Sequence, residues 1–510
     1  MDGSRSLASD PRRTPSPPAG RSRRRPSVAM RPLLRVVLLA HLLAGSLVDA
    51  GAAQVRPVRL ATQPGNVHFS QSAALLPDGR FATVWTQGRT TYLQYVDSKG
   101  TVAFGAPGRA VTTAPVEGAE AVVVAHARDG VLVAVRRRIG QDNSRILVQW
   151  LDGHGNPRWG AGTYAAPVAG REDQLDFFLL ASPDGGGFVC FVRVTSDDLE
   201  HPVFYCQRFS PEGQRLWGAR GARGGLSSLR AEEPKAVAVG DGGLLVFWRE
   251  WDMVPDNPQV FLRGQRLGPD GVRHWGADGT IVFKNRVFCD NGCALTSPWI
   301  SAVSDGTGGA ILAFDDRIGR LPEGTDFNHV TAQRMSAAGE RLWGEGVSVL
   351  PSRPPQALYD LFAHPDGGAV VAVVTFPFEF IDGGFHLVLQ RLAADGRPLW
   401  PTKGVTVVDL TSSPDNVYEG PVFGSVDDGV LRIAWERSNT GFPVRSEIRF
   451  SAFDAAGNRL TPSDGVPLVH PTTFSETPLL RGFAFDPASG SSFVVWDGAK
   501  GAAAVLYTPR

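Results

Sequence analysis

The sequence predicts an all-β fold, a single eight-bladed β-propeller with four-stranded blades. Three observations predict it. One phrase recurs along the chain: SPEGQRLWGARGA from Ser210, GPDGVRHWGADGTIV from Gly268, AAGERLWGEGVSVL from Ala337 and AADGRPLWPTKGVTVV from Ala393. Short alternating runs rich in Val, Phe and Leu, bounded by Asp-Gly and Gly-Gly, fill the chain after its first fifty residues, and no long helical period interrupts them. With 510 residues, 59 of them Gly and 38 Pro, the chain suits a large closed architecture with many turns. At 43% hydrophobic and 20% charged it has the composition of a globular protein.

The repeat is indexed by the Gly four residues before the Trp. These glycines are Gly100, Gly155, Gly213, Gly271, Gly339, Gly396 and Gly457, at spacings of 55, 58, 58, 68, 57 and 61. Periods of this size mean a solenoid, a propeller or an array. Residues 298–350 show one unit. Strand a is PWISAV, followed by the turn SDGTGG. Strand b is AILAFDD, followed by a longer loop. Strand c is HVTAQRM, followed by the turn SAAGE, and strand d is RLWGEGVSVL. The a–b turn recurs as PDGR at Pro77, ARDG at Ala127, PDGG at Pro183, GDGG at Gly240 and PDGG at Pro365. Asp-Gly and Gly-Gly supply the positive φ of tight hairpins.

Eight b strands can be read (FATVW, VLVAV, FVCFV, LLVFW, AILAF, AVVAV, VLRIAW and SFVVW) but only seven c–d turns. The last unit, from Phe483, supplies strands a, b and c (AAAVLY) and lacks a fourth. Val55–Gln63, VRPVRLATQ, resembles the d-strand tails and is expected to complete the eighth blade, which removes the open sheet edge. A seven-bladed ring with an added hairpin is the alternative. Trp159, Trp217, Trp275, Trp343 and Trp400 hold one repeat position, with Phe104 in the first unit. Trp85, Trp248, Trp435 and Trp496 end b strands. Nine of the twelve Trp therefore read as packing residues rather than as a sugar-stacking series.

The N-terminus reads separately. Residues 1–29 are a basic extension, or Met30 is the true start. Residues 30–53, MRPLLRVVLLAHLLAGSLVDAGAA, have the basic start, apolar middle and small-residue end of a secretory signal, and Ser46 stands where a lipoprotein would need Cys. The propeller is expected over 54–510, secreted or periplasmic after cleavage. Residues 1–53 hold nine Arg and three Asp, so the remainder carries 42 basic against 48 acidic residues, a net of −6. That balance excludes a nucleic-acid footprint and a basic lipid-binding patch, and the leader is too short and broken to span a membrane. A monomeric ring is expected.

The pattern DGxGGAIxxxDxR…AQRLxxxGxxxWGxxGV, best matched at 304–349, resembles a repeat of exported bacterial propellers of uncharacterised function. The Gly-to-Trp spacing of four is similar to the tryptophan-docking motif of eight-bladed quinoprotein dehydrogenases, whose cofactor-free relatives serve as envelope assembly scaffolds. That resemblance would imply a quinone under a vicinal Cys pair and a bound calcium; this chain has no Cys-Cys pair and a c–d turn one residue shorter. SPEGQRLW at Ser210 also resembles the sialidase Asp-box, with a Gly-to-aromatic spacing of four instead of three.

Propeller function is expected in the b–c and d–a loops, which share one face. The b–c loops are read to carry Arg136-Arg137-Arg138, Arg193, Arg249-Glu250-Trp251, Asp315-Asp316-Arg317, Glu436-Arg437 and Asp497. As a collar at the axial opening they would bind a polar ligand, a carbohydrate or a protein segment, with Trp251 as a stacking platform. The bland alternative is that these charges only terminate strands and solvate the rim. No cofactor is expected; calcium is the one metal raised, by AFDDR at Ala313, which lacks a D-x-D-x-D-G loop. Cys289 and Cys293, in CDNGC, read as a loop-locking disulfide. Cys190 and Cys206 face each other across a b–c hairpin, bridged or simply buried. No H-E-x-x-H, G-x-S-x-G, P-loop or C-x-x-C-H occurs. The expected function is a non-catalytic exported scaffold binding a glycan, peptide or envelope protein. The alternative is an exported enzyme: a quinone-type dehydrogenase, or a glycan hydrolase or lyase using carboxylates from different blades, first among them Glu250, Asp315 and Glu436.

Overall fold

The computed structural model describes residues 53–509, except 61–66, 69–72, 112–120, 126–127, 141–142, 168–171, 196–197, 253–258, 287–299, 321–325, 352–355, 376–385, 409–416, 440–445, 471–477 and 499–500. The readings placed on residues 1–52 and on Cys289 and Cys293 lie outside the described residues. Every described regular element is a β-strand, and among them no helix is long and apolar enough to cross a membrane.

The strands form eight antiparallel sheets, each with the order a–b–c–d. Blade 3 illustrates the plan, with strand a Glu172–Ala181, b Gly187–Thr195, c Asp198–Phe209 and d Ala222–Arg223. In blade 1 the inner strand is divided into Val67–His68 and Ala73–Leu75, both paired to Phe81–Gln87. Each inner strand touches the inner strand of the next blade, and the eighth touches the first, so the ring closes. The closing blade joins both ends of the described chain. Gln54–Arg59 lies antiparallel to Gly501–Thr508, from Gln54 opposite Thr508 to Arg59 opposite Ala503. Eight blades are therefore present, and the seven-bladed alternative falls.

The core lies between blades rather than around a centre. Ala82, Val84, Leu93 and Tyr95 of blade 1 pack against Val131, Val133 and Val135 of blade 2, and similar buried clusters follow around the ring. Alternate residues of every b strand face opposite neighbours, which is why these strands read as unbroken apolar runs.

The recurrent phrase has one physical explanation. The c-strand Gln side chain replaces strand pairing at the c–d corner. Gln333 Oε1 accepts the Trp343 amide at 3.0 Å, and its Nε2 donates to Gly344 O at 2.9 Å. Gln149, Gln207, Gln265 and Gln390 do the same for Trp159, Trp217, Trp275 and Trp400. The Trp then reaches forward one blade: Trp343 Nε1 donates to Ala394 O at 3.1 Å. The neighbouring Arg334 donates to the same carbonyl at 2.9 Å and to Asp305 of its own a–b turn. The next blade's Gly lies under the Trp ring. A Cβ on Gly213 would stand 2.5 Å from Trp159 Cδ2, and Gly213 also has φ +81°. The packing role read for these Trp is thus a blade-to-blade dock.

Two details differ from the sequence reading. Strand d is far shorter than RLWGEGVSVL: only Val347–Ser348 pairs with strand c, with a single bridge between Met335 and Arg341 before it. The Gln clamp takes over the hydrogen bonds that a longer ladder would supply. The b strands, by contrast, run longer than read, to Gly140, Thr195, Asp252, Arg320, Asn439 and Gly498. The charged residues assigned to b–c loops therefore lie within strands.

Candidate functional site

In this topology the inner strands run from the face bearing the d–a and b–c loops toward the face bearing the short turns. Near their loop-face ends five of them break register with strand b: between Leu175 and Phe178, Glu232 and Lys235, Leu358 and Asp360, Glu419 and Val422, and Leu480 and Gly482. The residues inserted are Asp176-Phe177, Glu233-Pro234, Tyr359, Gly420-Pro421 and Arg481. A bulge bends its strand and re-aims a side chain. Asp176 and Glu233 occupy equivalent bulge positions in adjacent blades, and both have left-handed backbones, with φ 44° and 49°. That conformation is costly for residues other than Gly and persists where the surroundings impose it. Asp176 and Tyr359 are exposed, and Glu233 and Arg481 are half-buried. The Tyr359 ring lies over Gly420, where a Cβ would stand 2.1 Å from it. These residues all lie at the loop-face ends of inner strands, where the ring's axial mouth opens.

Several of the residues singled out by sequence support this mouth from behind. Arg249, only 1% exposed, donates from Nη2 to Glu233 at 2.8 Å. Burial lowers its pKa, opposed by Glu233 and Glu232. The Trp251 ring lies beneath the Arg249 guanidinium, 5.5 Å away, and its Nε1 donates to Glu232 Oε2 at 2.9 Å. Trp251 is itself 7% exposed, so it braces the glutamates and offers little surface for stacking. Asp497 receives Arg481 Nε at 3.1 Å. Arg193 donates to Glu172 at 2.6 Å and stands over Tyr205. Arg437 lies 4.0 Å from Glu447. Arg317 is in strand b, opposite Asn328, and its side chain lies outside the described set.

The three carboxylates first suspected of catalysis are engaged in bonds within and between blades. Asp315 accepts the Leu358 amide of the next blade at 2.6 Å. Glu436 accepts the Leu480 amide of the next blade in the same way. Glu250 accepts Trp248 Nε1 at 3.0 Å and pairs with Arg263. Glu436 is buried enough that desolvation raises its pKa to about 7 despite the amide bond. Asp316, which accepts from Thr331, is raised to about 6 for the same reason. Of the strand-b set, Arg249, Glu250, Trp251, Asp315, Asp316 and Glu436 are buried and Arg193, Arg437 and Asp497 are half-buried; the buried carboxylates serve as acceptors for amides and cations at the blade interfaces. Among the described residues no group of three His, Cys, Asp or Glu stands close enough to hold a metal ion.

Sequence reading missed Asp176, Glu233, Tyr359 and Arg481. A signal existed: Pro234 in EEPKAVA and Pro421 in EGPVF lie inside strand runs, and Pro in a strand marks a bulge or an edge. The Cys190–Cys206 pair forms a disulfide between directly opposed residues of strands b and c in blade 3.

No family model matches the chain, and no curated protein matches it. Solved structures similar to it include a polysaccharide lyase of family PL25, an ulvan lyase, with TM-score 0.44 and 8% identity over 82% of this chain and 98% of that one. Another is an α-L-arabinanase from Penicillium chrysogenum, with TM-score 0.34 and 12% identity over 66% of this chain and 93% of that one. A third is an endo-arabinase from Bacteroides thetaiotaomicron, with TM-score 0.29 and 16% identity over 56% of this chain and 96% of that one. These are carbohydrate-acting propellers and not quinoproteins. Likenesses this distant carry no argument about the chemistry of this chain.

Proposed function

We propose that this chain is an exported binding scaffold that grips a carbohydrate at its axial mouth. The observation that carries the reading is the set of bulges that places Asp176, Glu233, Tyr359 and Arg481 at the loop-face ends of inner strands, two of them in left-handed backbone. Carboxylates accept from sugar hydroxyls, the Arg donates to them, and an exposed Tyr ring stacks on the C–H face of a pyranose. The rigid ring holds these groups in place before the ligand arrives, which lowers the ordering cost of binding. Export fits the Cys190–Cys206 disulfide, since such bonds persist in oxidising compartments.

The test is calorimetric titration of neutral and acidic oligosaccharides into the protein. Tyr359→Ala is expected to weaken the binding of the best ligand by about tenfold, the scale of a lost aromatic contact, without lowering the melting temperature. Unchanged affinity in Tyr359→Ala, or no binding by any oligosaccharide, would remove the reading.

A further inference from the structure

Below the bulges, each inner strand resumes its register with strand b, so residues from different blades can be placed at one level. In blades 3 to 7 that level is Phe178 opposite Cys190, Lys235 opposite Phe247, Ser301 opposite Ala313, Asp360 opposite Ala372 and Phe423 opposite Ala434. Five consecutive blades thus place Phe, Lys, Ser, Asp and Phe at one level of their innermost strands, the two Phe also packing against the cores between blades 3 and 4 and between blades 7 and 8. All five side chains are half-buried. They belong to innermost strands, so the axial channel is the way solvent reaches them.

The polar trio is only partly satisfied. Ser301 Oγ donates to Asp360 Oδ1 at 3.1 Å, and the Leu361 amide donates to the same oxygen at 2.8 Å. Asp360 Oδ2 accepts nothing from a described residue. Burial raises the Asp360 pKa to about 6, against the two hydrogen bonds and the charge of Lys235. Lys235 acts on Asp360 through its field, yet no ion pair joins them, and Lys235 makes no hydrogen bond to a described residue. Lys235 and Asp360 stand two blades apart at one level, with Ser301 in the blade between them. A ligand that bridges the two would make a charge-assisted contact at each end.

We propose that this level is a second binding site, deeper than the mouth, for an organic carboxylate carrying hydroxyl or amino donors on adjacent carbons. The ligand carboxylate pairs with Lys235. Its donors go to Asp360 Oδ2 and to the free lone pairs of Ser301, and Phe178, in the blade beside Lys235, borders the site. A sugar acid and an amino acid share this chemistry. The site uses the same opening as the carbohydrate reading but none of its residues.

The experiment is titration of the whole protein with two arms of probes, glucuronate and galacturonate in one, glycine and glutamate in the other, with glucose as the neutral control. At least one acid is expected to bind more tightly than glucose. Lys235→Met should weaken that acid by about tenfold or more, as expected for a charge-assisted contact, and leave glucose unchanged. Lys235→Arg should retain most of the affinity, and Asp360→Asn should weaken binding with a pH dependence that differs from the parent's. The melting temperature without ligand reports folding of each variant. If no acid binds, or if Lys235→Met binds the same acid within about twofold of the parent, the site does not exist as described. Tyr359→Ala run in parallel separates the two readings. Loss with Tyr359→Ala alone supports the mouth and overturns the deeper site; loss with Lys235→Met alone does the reverse.

Discussion

Glu436 is held at the interface of blades 7 and 8 by one backbone amide, and burial raises its pKa from 4.5 to about 7. A carboxyl whose folded pKa lies above its unfolded value costs stability when ionised. That cost is absent below about pH 4.5, grows as pH rises to about 7 and levels off above it. Glu436→Gln keeps an oxygen for the Leu480 amide and removes the charge. It is expected to stabilise the protein at pH 8, with an upper bound of about 3 kcal/mol, and to change little at pH 4.5. Denaturant unfolding at the two pH values checks this; equal effects at both would mean that the charge is not what the interface resists. The turn aspartates behave oppositely. Asp305 is also partly buried, but the Thr307 and Gly309 amides and Arg334 outweigh desolvation and lower its pKa. Their contribution is present at neutral pH and is lost as pH falls through the depressed value. Opposite trends in the two groups place maximal stability at mildly acidic pH. The residue types of the polar positions were legible in the sequence, but their roles were not. Glu436 and Asp497 occupy the same strand-b register in successive blades, yet one accepts an amide of the next blade and the other an Arg of its own.

Among the elements, the c–d corner is the unit that repeats. Its Gly is required twice, for positive φ and for the Trp of the preceding blade that lies on it. The two demands can be separated. Gly490 has φ +67° with nothing within 4 Å of where a Cβ would stand, whereas Gly213 has φ +81° and Trp159 at 2.5 Å. Gly490→Ala is expected to cost about 1 kcal/mol from backbone strain alone. Gly213→Ala adds the displaced Trp and is expected to cost about 2–4 kcal/mol. Thermal unfolding of the two variants makes the comparison, and equal costs would mean that the Trp adjusts freely. Periodicity made this element visible, because the same contacts recur at each interface and select the same residues. The bulges of the inner strands were not visible as a pattern. Each blade inserts a different residue, Asp176, Glu233, Tyr359, Gly420 or Arg481, and nothing repeats except the occasional Pro.

Around the ring as a whole, the docking chain is not circular. It runs from Phe104 on Gly155 through Trp400 on Gly457. Blade 7 then places Thr461, half-buried, at the Trp position, and Val58 of the closing strand lies against Gly100. The ring is therefore held across blades 7, 8 and 1 by the pairing of Gln54–Arg59 with Gly501–Thr508 and by Val58 and Leu60, which are 4% and 1% exposed. Val58→Asp buries a carboxylate at this seam and is expected to destabilise the whole ring by about 3–5 kcal/mol, more than the same change at exposed Val55. Unfolding curves of both variants test it, and equal stability would mean that the seam contributes nothing to closure.

The architecture was legible in the order of residues. Repeat length, the alternation of short apolar strands, the Gly–Trp spacing and the missing eighth outer strand together pointed to a closed eight-bladed ring, because each is imposed by local geometry or by contacts repeated at every interface, and the pairing of Gln54–Arg59 with Gly501–Thr508 decided against seven blades. The surroundings of the charged residues were set by the folded ring instead. Among the acids and cations at the ends of the b strands, Arg249, Glu250, Asp315, Asp316 and Glu436 are buried and bonded within their own blade or to the next. The residues proposed to meet a ligand, Asp176, Glu233, Tyr359 and Arg481 above and Lys235, Ser301 and Asp360 below, come from inner strands far apart in the chain. Ring closure alone brings them to a common level, and no local pattern encodes a position defined by eight separate sheets.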